Sequence, residues 1–190
     1  VQMPNLPWFI RERDLSNHLN IPVYLLNDLE ALANSVLILE KEDLEVLSSG
    51  KPVERSSLAV IAPGTGLGEA HLHWVGTNYR SFASEGGHVD FAPTNQIEFE
   101  LMLYLKEHIG HVSYERVCSG PGLVNLYNFF KDSGKYEEPE WLGKQIATMV
   151  NSAPVISQAA LENKAEIAVA TLNLFTSILG REAGNLALKE

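Results

Sequence analysis

The sequence has a single cysteine, Cys118, among its 190 residues. One thiol cannot form an internal disulfide, and its isolation rules out a cysteine-rich zinc site. No cysteine–histidine signature surrounds Cys118, so we expect a small, half-buried side chain rather than a nucleophile. A lone reduced thiol indicates the reducing environment of the cytoplasm.

Basic residues are also few, since 14 lysines and arginines against 24 aspartates and glutamates give a formal net charge of −10. Such a surface repels nucleic-acid phosphates and anionic membranes, and no basic patch offsets it, so we expect neither partner. Apolar runs stay well short of the roughly 20 residues that span a bilayer. No signal-peptide pattern opens the chain. Because it begins with valine and ends in a helical pattern, we expect both ends to be truncated.

The pattern of apolar residues predicts a mixed α/β (or α+β) fold, with strands early, helices late and the helices packed on one side of a sheet. A short apolar run at residues 23–26 predicts a buried strand, followed by a helix over residues 29–39. Further strands are predicted at residues 58–62, 69–75 and 79–83, and helices over residues 95–109 and most of the chain beyond residue 122. The charged stretch at residues 40–57 has no apolar face and is predicted to be a linker.

Asn27 and Asp28 follow the first predicted strand directly. In open α/β sheets ligands bind at the carboxyl ends of strands, and a carboxylate beside an amide suits the hydroxyls of a sugar. Asp28 could also accept the proton of an attacking hydroxyl as a general base. The alternative is a plain helix cap, because Asn-Asp before a helix is typical of one.

A glycine-rich loop containing Gly64, Thr65, Gly66 and Gly68 follows the strand predicted at residues 58–62. Closely spaced glycines allow positive φ angles and let backbone N–H groups approach a phosphate, with the Thr65 hydroxyl as a further donor. The loop is not a Walker motif, because no lysine follows its glycines, and not a dinucleotide fingerprint, because a strand follows it. The alternative is a tight hairpin without a ligand.

A third polar cluster contains Glu85, His88 and Asp90, with Glu115 further along the chain. The paired glycines between Glu85 and His88 allow a sharp turn, so that both side chains can face one pocket and hold adjacent hydroxyls of a hexose. A polar turn without a ligand is one alternative. A metal site is another, since all three residue types ligate metals, but no cysteine supports it and we expect none.

Taken in order, these clusters resemble the bacterial ATP-dependent glucokinases. The matching stretches are LND at residues 26–28, PGTGLG at 63–68, EGGHVDFAP at 85–93, GHVSYERVCSGPGLVNLY at 110–127 and LGREAGNLAL at 179–188, with NLPW at 5–8 fitting as well. The resemblance runs nearly end to end, and the segments around Glu85 and Glu115 are long and specific.

The resemblance implies a hexokinase–actin type (RNase H-like) fold of two α/β lobes, with residues 1–40 in the small lobe, 41–57 as the linker and 58–190 in the large lobe. It implies transfer of the γ-phosphate of ATP, with Mg²⁺ as cofactor, to the 6-hydroxyl of glucose. Asp28 would be the general base, and Asn27, Glu85, His88 and Glu115 would bind the other hydroxyls. The loop from Gly64 to Gly68 would face the β- and γ-phosphates. The resemblance also implies a cytoplasmic homodimer.

Two parts of the family pattern are missing, namely the first phosphate loop (Asp-x-Gly-Gly-Thr) and the Gly-Gly turn that contacts adenosine. We therefore expect a central fragment with negligible activity of its own, weak sugar binding and apolar surface that favours self-association. One alternative is a kinase for another hexose or an N-acetylhexosamine. Another is a non-catalytic regulator that senses a sugar with the same fold. The related ROK group is disfavoured, because its cysteine-rich zinc motif is absent.

Overall fold

The computed structural model of the chain describes residue 7 and residues 9–189. The strands are β1 (Leu58–Pro63), β2 (Leu67–Trp74) and β3 (Tyr79–Ser84). The α-helices are α1 (Glu12–Leu19), α2 (Asp28–Ser35), α3 (Gln96–Ile109), α4 (Gly120–Asp132), α5 (Glu140–Ala147), α6 (Ala153–Leu161) and α7 (Glu166–Ala187). Short 3-10 helices cover Val36–Ile38, Lys41–Asp43, Gly86–His88 and Tyr114–Arg116. The predicted succession of strands followed by helices is confirmed.

The three strands form an antiparallel sheet in the order β1-β2-β3, joined by two short connections. The first connection brings Pro63 opposite Leu67, and the second brings Trp74 opposite Tyr79. All three strands therefore lie within two residues of the predicted positions. The sheet is small, and β2 is its central strand, so the residues of β2 have neighbours on both sides.

Helices cover both faces of the sheet, so the prediction that they pack on one side is wrong. On one face, the buried residues Ala70 and Leu72 of β2 pack against Ala33 of α2. On the other face, Leu67 of β2 belongs to the main core, and Ile61 of β1 packs against it. Successive side chains of a strand point to opposite faces, so Leu67 lies on one face of β2 while Ala70 and Leu72 lie on the other, and each face requires a cover.

The main core lies among helices α3 to α7, with fully buried side chains such as Leu101, Leu126, Ile156 and Ile178. Helix α3 begins after Asn95, whose side chain accepts from the Glu98 N–H, and ends at Gly110, which has a φ of 77°. The asparagine satisfies a free N–H at the beginning of the helix, and the glycine at its end has a positive φ that other residues rarely adopt. Among the described residues, no helix is both long and apolar enough to cross a membrane.

The strand predicted at residues 23–26 does not form. The segment belongs to no sheet, and Tyr24 and Leu26 are 79% and 60% exposed. Its backbone N–H groups instead donate to side chains of α1, with Val23 bound to Ser16 Oγ at 2.9 Å and Leu25 to Glu12 Oε1 at 2.8 Å. A strand needs a neighbouring backbone, and no described strand lies beside this segment.

The helix predicted over residues 29–39 forms as α2 and the following 3-10 turn. The stretch predicted as a linker contains the 3-10 turn Lys41–Asp43 but no strand or α-helix, and its residues 41–55 are exposed. Its role between two lobes stays a prediction. The NLPW stretch at residues 5–8 lies outside the described residues except for Pro7.

Candidate functional site

A single open cleft of about 650 Å³ lies beside the β1–β2 hairpin, the beginning of α2 and the end of β3. Its lining includes all nine residues to which the family resemblance assigns a role, namely Asn27, Asp28, Gly64, Thr65, Gly66, Gly68, Glu85, His88 and Glu115. These residues come from four separate stretches of the chain, so the fold brings them together. A cleft of this size and polarity is typical of small-molecule sites.

Asn27 is the N-cap of α2, as the alternative interpretation predicted. Its Oδ1 atom accepts from the N–H groups of Leu29 at 2.9 Å and Glu30 at 3.3 Å. The cap uses only Oδ1, so the two N–H donors of the side-chain amide are not engaged by it. Asp28 is the first residue of the helix, and its Oδ1 accepts from the Leu29 N–H at 2.9 Å. The hydrogen bonds at the beginning of the helix therefore use the Oδ1 atom of each residue.

The glycine-rich loop is a tight hairpin in which the Gly64 N–H donates to the Gly66 carbonyl at 2.8 Å. Gly64, Gly66 and Gly68 all lack a positive φ, so the left-handed backbone that closely spaced glycines allow is not used at these positions. The close approach of other residues requires glycine instead at two of them. A Cβ atom would lie 2.5 Å from Glu115 Oε2 at Gly66 and 2.7 Å from Leu29 Cδ1 at Gly68, but would meet nothing within 4 Å at Gly64.

His88 lies between two carboxylates at the end of β3. Its Nε2 atom is 3.5 Å from Glu85 Oε2, and its Nδ1 atom is 3.8 Å from Glu115 Oε1. The paired glycines allow this turn to press against β2, since a Cβ on Gly87 would lie 2.2 Å from the Leu67 carbonyl oxygen. The turn thus places the His88 ring and two carboxylates on one wall of the cleft. Such a wall offers both hydrogen-bond donors and acceptors, which hydroxyl groups need because they both donate and accept.

Glu115 connects this wall to the hairpin. Its Oε2 atom accepts from the Leu67 N–H at 3.1 Å, while its Oε1 atom faces His88. The side chain is 26% exposed, which leaves part of the carboxylate open to the cleft. Its backbone carbonyl accepts from Ser119 Oγ at 2.7 Å, which holds the residue at the beginning of α4.

Asp90, the third member of the predicted Glu-His-Asp cluster, does not join Glu85 and His88. Its Oδ1 atom pairs with His111 Nε2 at 2.8 Å, and the residue does not line the cleft. Within residue 7 and residues 9–189, no three histidine, cysteine, aspartate or glutamate side chains are grouped as possible ligands of one metal ion. The metal interpretation of this cluster therefore gains no support from the described residues.

Glu69 is a buried carboxyl group that the sequence did not single out. It is 1% exposed, and neither carboxyl oxygen has a hydrogen-bond partner within the described part of the chain. Burial raises the pKa of Glu69, the nearby Glu182 raises it further, and Lys189 opposes both. Polar residues at alternate positions of β2 suggest a solvated face, so no sequence signal marks Glu69 as buried.

Cys118 is fully buried rather than half-buried. Burial raises the pKa of its thiol to about 12, and the carboxylate of Glu182 adds to the effect. Since the thiolate is the reactive form, this thiol is unsuited to nucleophilic catalysis. The cysteine acts as a small core side chain beside the cleft.

The fold and the cleft define a mixed α/β protein with a carboxylate-lined cleft beside a glycine hairpin and the N-terminus of α2. The family model described as Glucokinase matches residues 1–190. The chain therefore belongs to the glucokinase family.

Curated relatives match nearly the whole chain. The glucokinase of Nostoc punctiforme is 41% identical over 201 residues, which cover 99% of this chain and 59% of the relative. The glucokinase of Escherichia coli O139:H28 is 38% identical over 191 residues, covering 99% of this chain and 56% of the relative. The chain thus spans less than two thirds of the length of these relatives.

Solved structures show the same fold. A crystal structure of glucokinase from an Antarctic psychrotroph has a TM-score of 0.72 at 33% identity, over 86% of this chain and 48% of that one. The glucokinase of Balamuthia mandrillaris in complex with glucose has a TM-score of 0.61 at 24% identity, over 72% of this chain and 38% of that one. The second likeness shows the fold alone. The mixed α/β prediction is confirmed, and a hexokinase–actin type fold is consistent with these neighbours.

Proposed function

We propose that the protein carrying this chain is an ATP-dependent glucokinase, which transfers the γ-phosphate of Mg-ATP to the 6-hydroxyl of glucose. The gathering of Asn27, Asp28, the hairpin loop, the Glu85–His88 turn and Glu115 around one cleft carries the proposal. Membership of the glucokinase family supports the same activity. Because the chain spans 59% of its Nostoc relative, the activity is proposed for the full-length protein that contains it.

Glucose would bind at the wall formed by Glu85, His88 and Glu115, with Asn27 opposite. The contacts of 3.5 Å and 3.8 Å from His88 to the two carboxylates place alternating donors and acceptors side by side. Adjacent hydroxyls of a hexose each donate and accept, so such a row can read their stereochemistry. The free amide donors of Asn27 complete the set on the α2 side.

Asp28 would be the general base that accepts the proton of the 6-hydroxyl. Its bond to the Leu29 N–H fixes Oδ1 and holds the carboxylate at the first turn of α2, on the wall of the cleft. Phosphoryl transfer depends mainly on positioning and on the neutralisation of charge, so an oriented carboxylate at the attacking hydroxyl is the contribution required of this residue.

The hairpin loop from Gly64 to Gly68 would face the β- and γ-phosphates. Its open side allows backbone N–H groups to approach an anion, and the Thr65 hydroxyl adds a donor. The Gly120 N–H donates to the Gly64 carbonyl at 2.8 Å, which places the positive end of α4 next to the loop. Mg²⁺ would enter with ATP and neutralise its phosphates, and no residue of this chain is assigned to it.

The two-lobe arrangement belongs to this proposal, with residues 1–40 in a small lobe, 41–57 as the linker and 58–190 in a large lobe. In that division, the contact of Ala33 with Ala70 and Leu72 lies at the interface between lobes. Closure over glucose would exclude water, which otherwise competes as phosphoryl acceptor. We also propose a cytoplasmic homodimer, in accord with the family resemblance.

A coupled phosphorylation assay on the full-length protein tests the proposal with glucose, mannose, fructose and N-acetylglucosamine as acceptors. Glucose is expected to be the substrate, and Asp28→Asn is expected to lower turnover by about 10²- to 10⁴-fold, the usual contribution of a general base. The matched control is Glu30→Gln, which removes a negative charge from the same helical turn but does not line the cleft.

Turnover of another sugar would preserve the mechanism and change the substrate. Glucose binding without turnover would favour the sugar-sensing regulator. Near-normal turnover by Asp28→Asn, or an equal loss in Glu30→Gln, would remove Asp28 from the role of base.

A further inference from the structure

We infer that Glu115 ties the glycine hairpin to the sugar site, and that Gly66 is a positioning residue for sugar binding because only glycine leaves room for this carboxylate. The inference rests on the proposed function, in which Glu115 binds a hydroxyl of glucose. It gives Gly66, a residue of the proposed phosphate loop, a separate effect on the affinity for the sugar.

The two oxygens of Glu115 face different parts of the cleft. Oε2 accepts from the Leu67 N–H at 3.1 Å, directly after the loop, and Oε1 lies 3.8 Å from His88 Nδ1. A carboxylate held by an N–H group on one side has a fixed direction on the other. The bond to Leu67 therefore sets where Glu115 presents its second oxygen to a ligand.

Gly66 allows that bond to form. A Cβ atom at Gly66 would lie 2.5 Å from Glu115 Oε2, closer than non-bonded atoms approach, and 3.4 Å from Cδ of the same side chain. The φ of Gly66 is not positive, so alanine can adopt its backbone conformation without strain. The carboxylate is the end of a flexible side chain, so it would move away from Leu67 while the loop keeps its shape.

The backbone around Glu115 is held independently of its carboxylate. Ser119 Oγ donates to the Glu115 carbonyl at 2.7 Å, and the Gly120 N–H donates to the Gly64 carbonyl at 2.8 Å. These bonds join the hairpin to the start of α4 whether or not the Leu67 bond forms. Gly66→Ala is thus expected to displace one carboxylate rather than to unfold the hairpin.

Gly64 offers a matched control in the same loop. A Cβ atom there meets no heavy atom within 4 Å, and its φ is also not positive. Gly64→Ala therefore adds the same methyl group two residues away without touching Glu115. The comparison concerns glucose affinity measured without nucleotide, so any effect of either substitution on phosphate binding does not enter it.

The test measures glucose binding by titration calorimetry on the full-length protein carrying this chain. Gly66→Ala is expected to raise the Kd for glucose about tenfold, equal to about 1.4 kcal/mol, while Gly64→Ala leaves it unchanged. In a Glu115→Ala background, Gly66→Ala is expected to have no further effect, because the carboxylate that it displaces is gone. Unchanged glucose affinity in Gly66→Ala, or an equal loss in Gly64→Ala, would overturn the inference.

A measurement without sugar separates this inference from the proposed function. Amide hydrogen exchange of Leu67, followed by NMR after selective labelling of leucine, is expected to accelerate in Glu115→Ala and Gly66→Ala but not in Gly64→Ala. If the unaltered protein binds no glucose, the proposed function fails. The exchange rate of the Leu67 amide alone then decides whether Glu115 is bound to the hairpin through the Leu67 N–H. Equal exchange rates of Leu67 in all variants would show that this hydrogen bond does not hold Glu115 to the hairpin.

Discussion

The cleft and the helical core are stabilised in opposite ways. In the core, Glu98 is fully buried and bound by both terminal nitrogens of Arg181, at 2.7 Å and 2.6 Å. In the cleft, the Glu85 and His88 side chains are 90% and 58% exposed, and their mutual contact is 3.5 Å. Exposed polar contacts of this kind contribute little to stability. The difference indicates that the side chains of the cleft contribute little to folding, whereas the core provides the stability.

The two regions meet where β2 passes beneath the cleft. Two glycines below the cleft lie too close to other residues to carry a Cβ atom. A Cβ at Gly68 would clash with Leu29, and a Cβ at Gly87 would clash with the backbone of Leu67. The position of the exposed polar groups therefore depends on buried contacts directly below them. Three substitutions test whether the stability of the protein comes from the core rather than from the cleft.

The largest effect is expected from Arg181→Met in the core, which should lower the free energy of unfolding by about 3 to 5 kcal/mol, because it leaves the buried Glu98 carboxylate without its partner. Burial raises the pKa of Glu98, but the hydrogen bonds and charge of Arg181, together with hydrogen bonds from Thr94 and Asn95, outweigh it and hold the pKa below the ordinary value. The stabilisation is therefore present above the ordinary pKa of glutamate and is lost as the pH falls below it.

Urea unfolding of the chain at several pH values measures this effect. Arg181→Lys is the control, since it keeps the charge but loses the two-pronged geometry, and an intermediate loss is expected. If Arg181→Met were as stable as the unaltered chain, the core would not depend on the Glu98–Arg181 pair, and the contrast between core and cleft would be contradicted.

A smaller loss, about 1 to 3 kcal/mol, is expected from Gly68→Ala, since the new methyl group overlaps Leu29 Cδ1 at 2.7 Å and forces α2 away from β2. Asp28 begins that helix, so glucose turnover of the full-length protein should fall as well. Gly64→Ala should change stability by less than about 0.5 kcal/mol, because it touches nothing. Equal stability of the two variants in thermal melts would disprove the close-packing explanation.

The smallest effect on stability is expected from Glu69→Gln, at the boundary between the two regions. Burial, aided by Glu182 and opposed by Lys189, raises the pKa of Glu69 in the folded state above its ordinary 4.5. The folded state then keeps this proton to higher pH than the unfolded state, so stability falls as the pH rises from about 4.5 through the raised pKa.

Glutamine cannot ionise, so the stability of Glu69→Gln should not fall for this reason as the pH rises. The variant should match the unaltered chain near pH 4 and exceed it increasingly toward neutral pH, as measured by the midpoint of urea unfolding. Parallel pH profiles would show that Glu69 does not titrate within the fold.

Much of the local structure could be predicted from short stretches of sequence. The strands of the hairpin were located within two residues, and Asn27 and Asn95 were recognised at helix starts, because caps and turns depend on near neighbours. The strand prediction at residues 23–26 failed because it too considered only near neighbours along the chain. An apolar run predicts burial only if another segment covers it, and here the N–H groups donate to α1 while Tyr24 is exposed.

The candidate site could be predicted as a set of residues but not as a geometry. The order of motifs identified nine of the fifteen residues that line the cleft, and the roles assigned to them stay predictions. The close approach of the Glu115 carboxylate to Gly66 could not be predicted, because Glu115 lies 49 residues further along the chain. Glu69 was missed, since its burial depends on the turn after β3 and on α7.

The sequence by itself determined the mixed α/β fold, the hairpin, most of the helices and the family, because these follow from local periodicity, capping residues and recurring motifs. Only the tertiary structure decided that four distant stretches share one cleft, that Glu115 joins the hairpin to the Glu85–His88 turn, and that Glu69 is buried beneath it. Contacts between residues far apart in the chain depend on how its elements pack, and no local pattern of residues encodes such a contact.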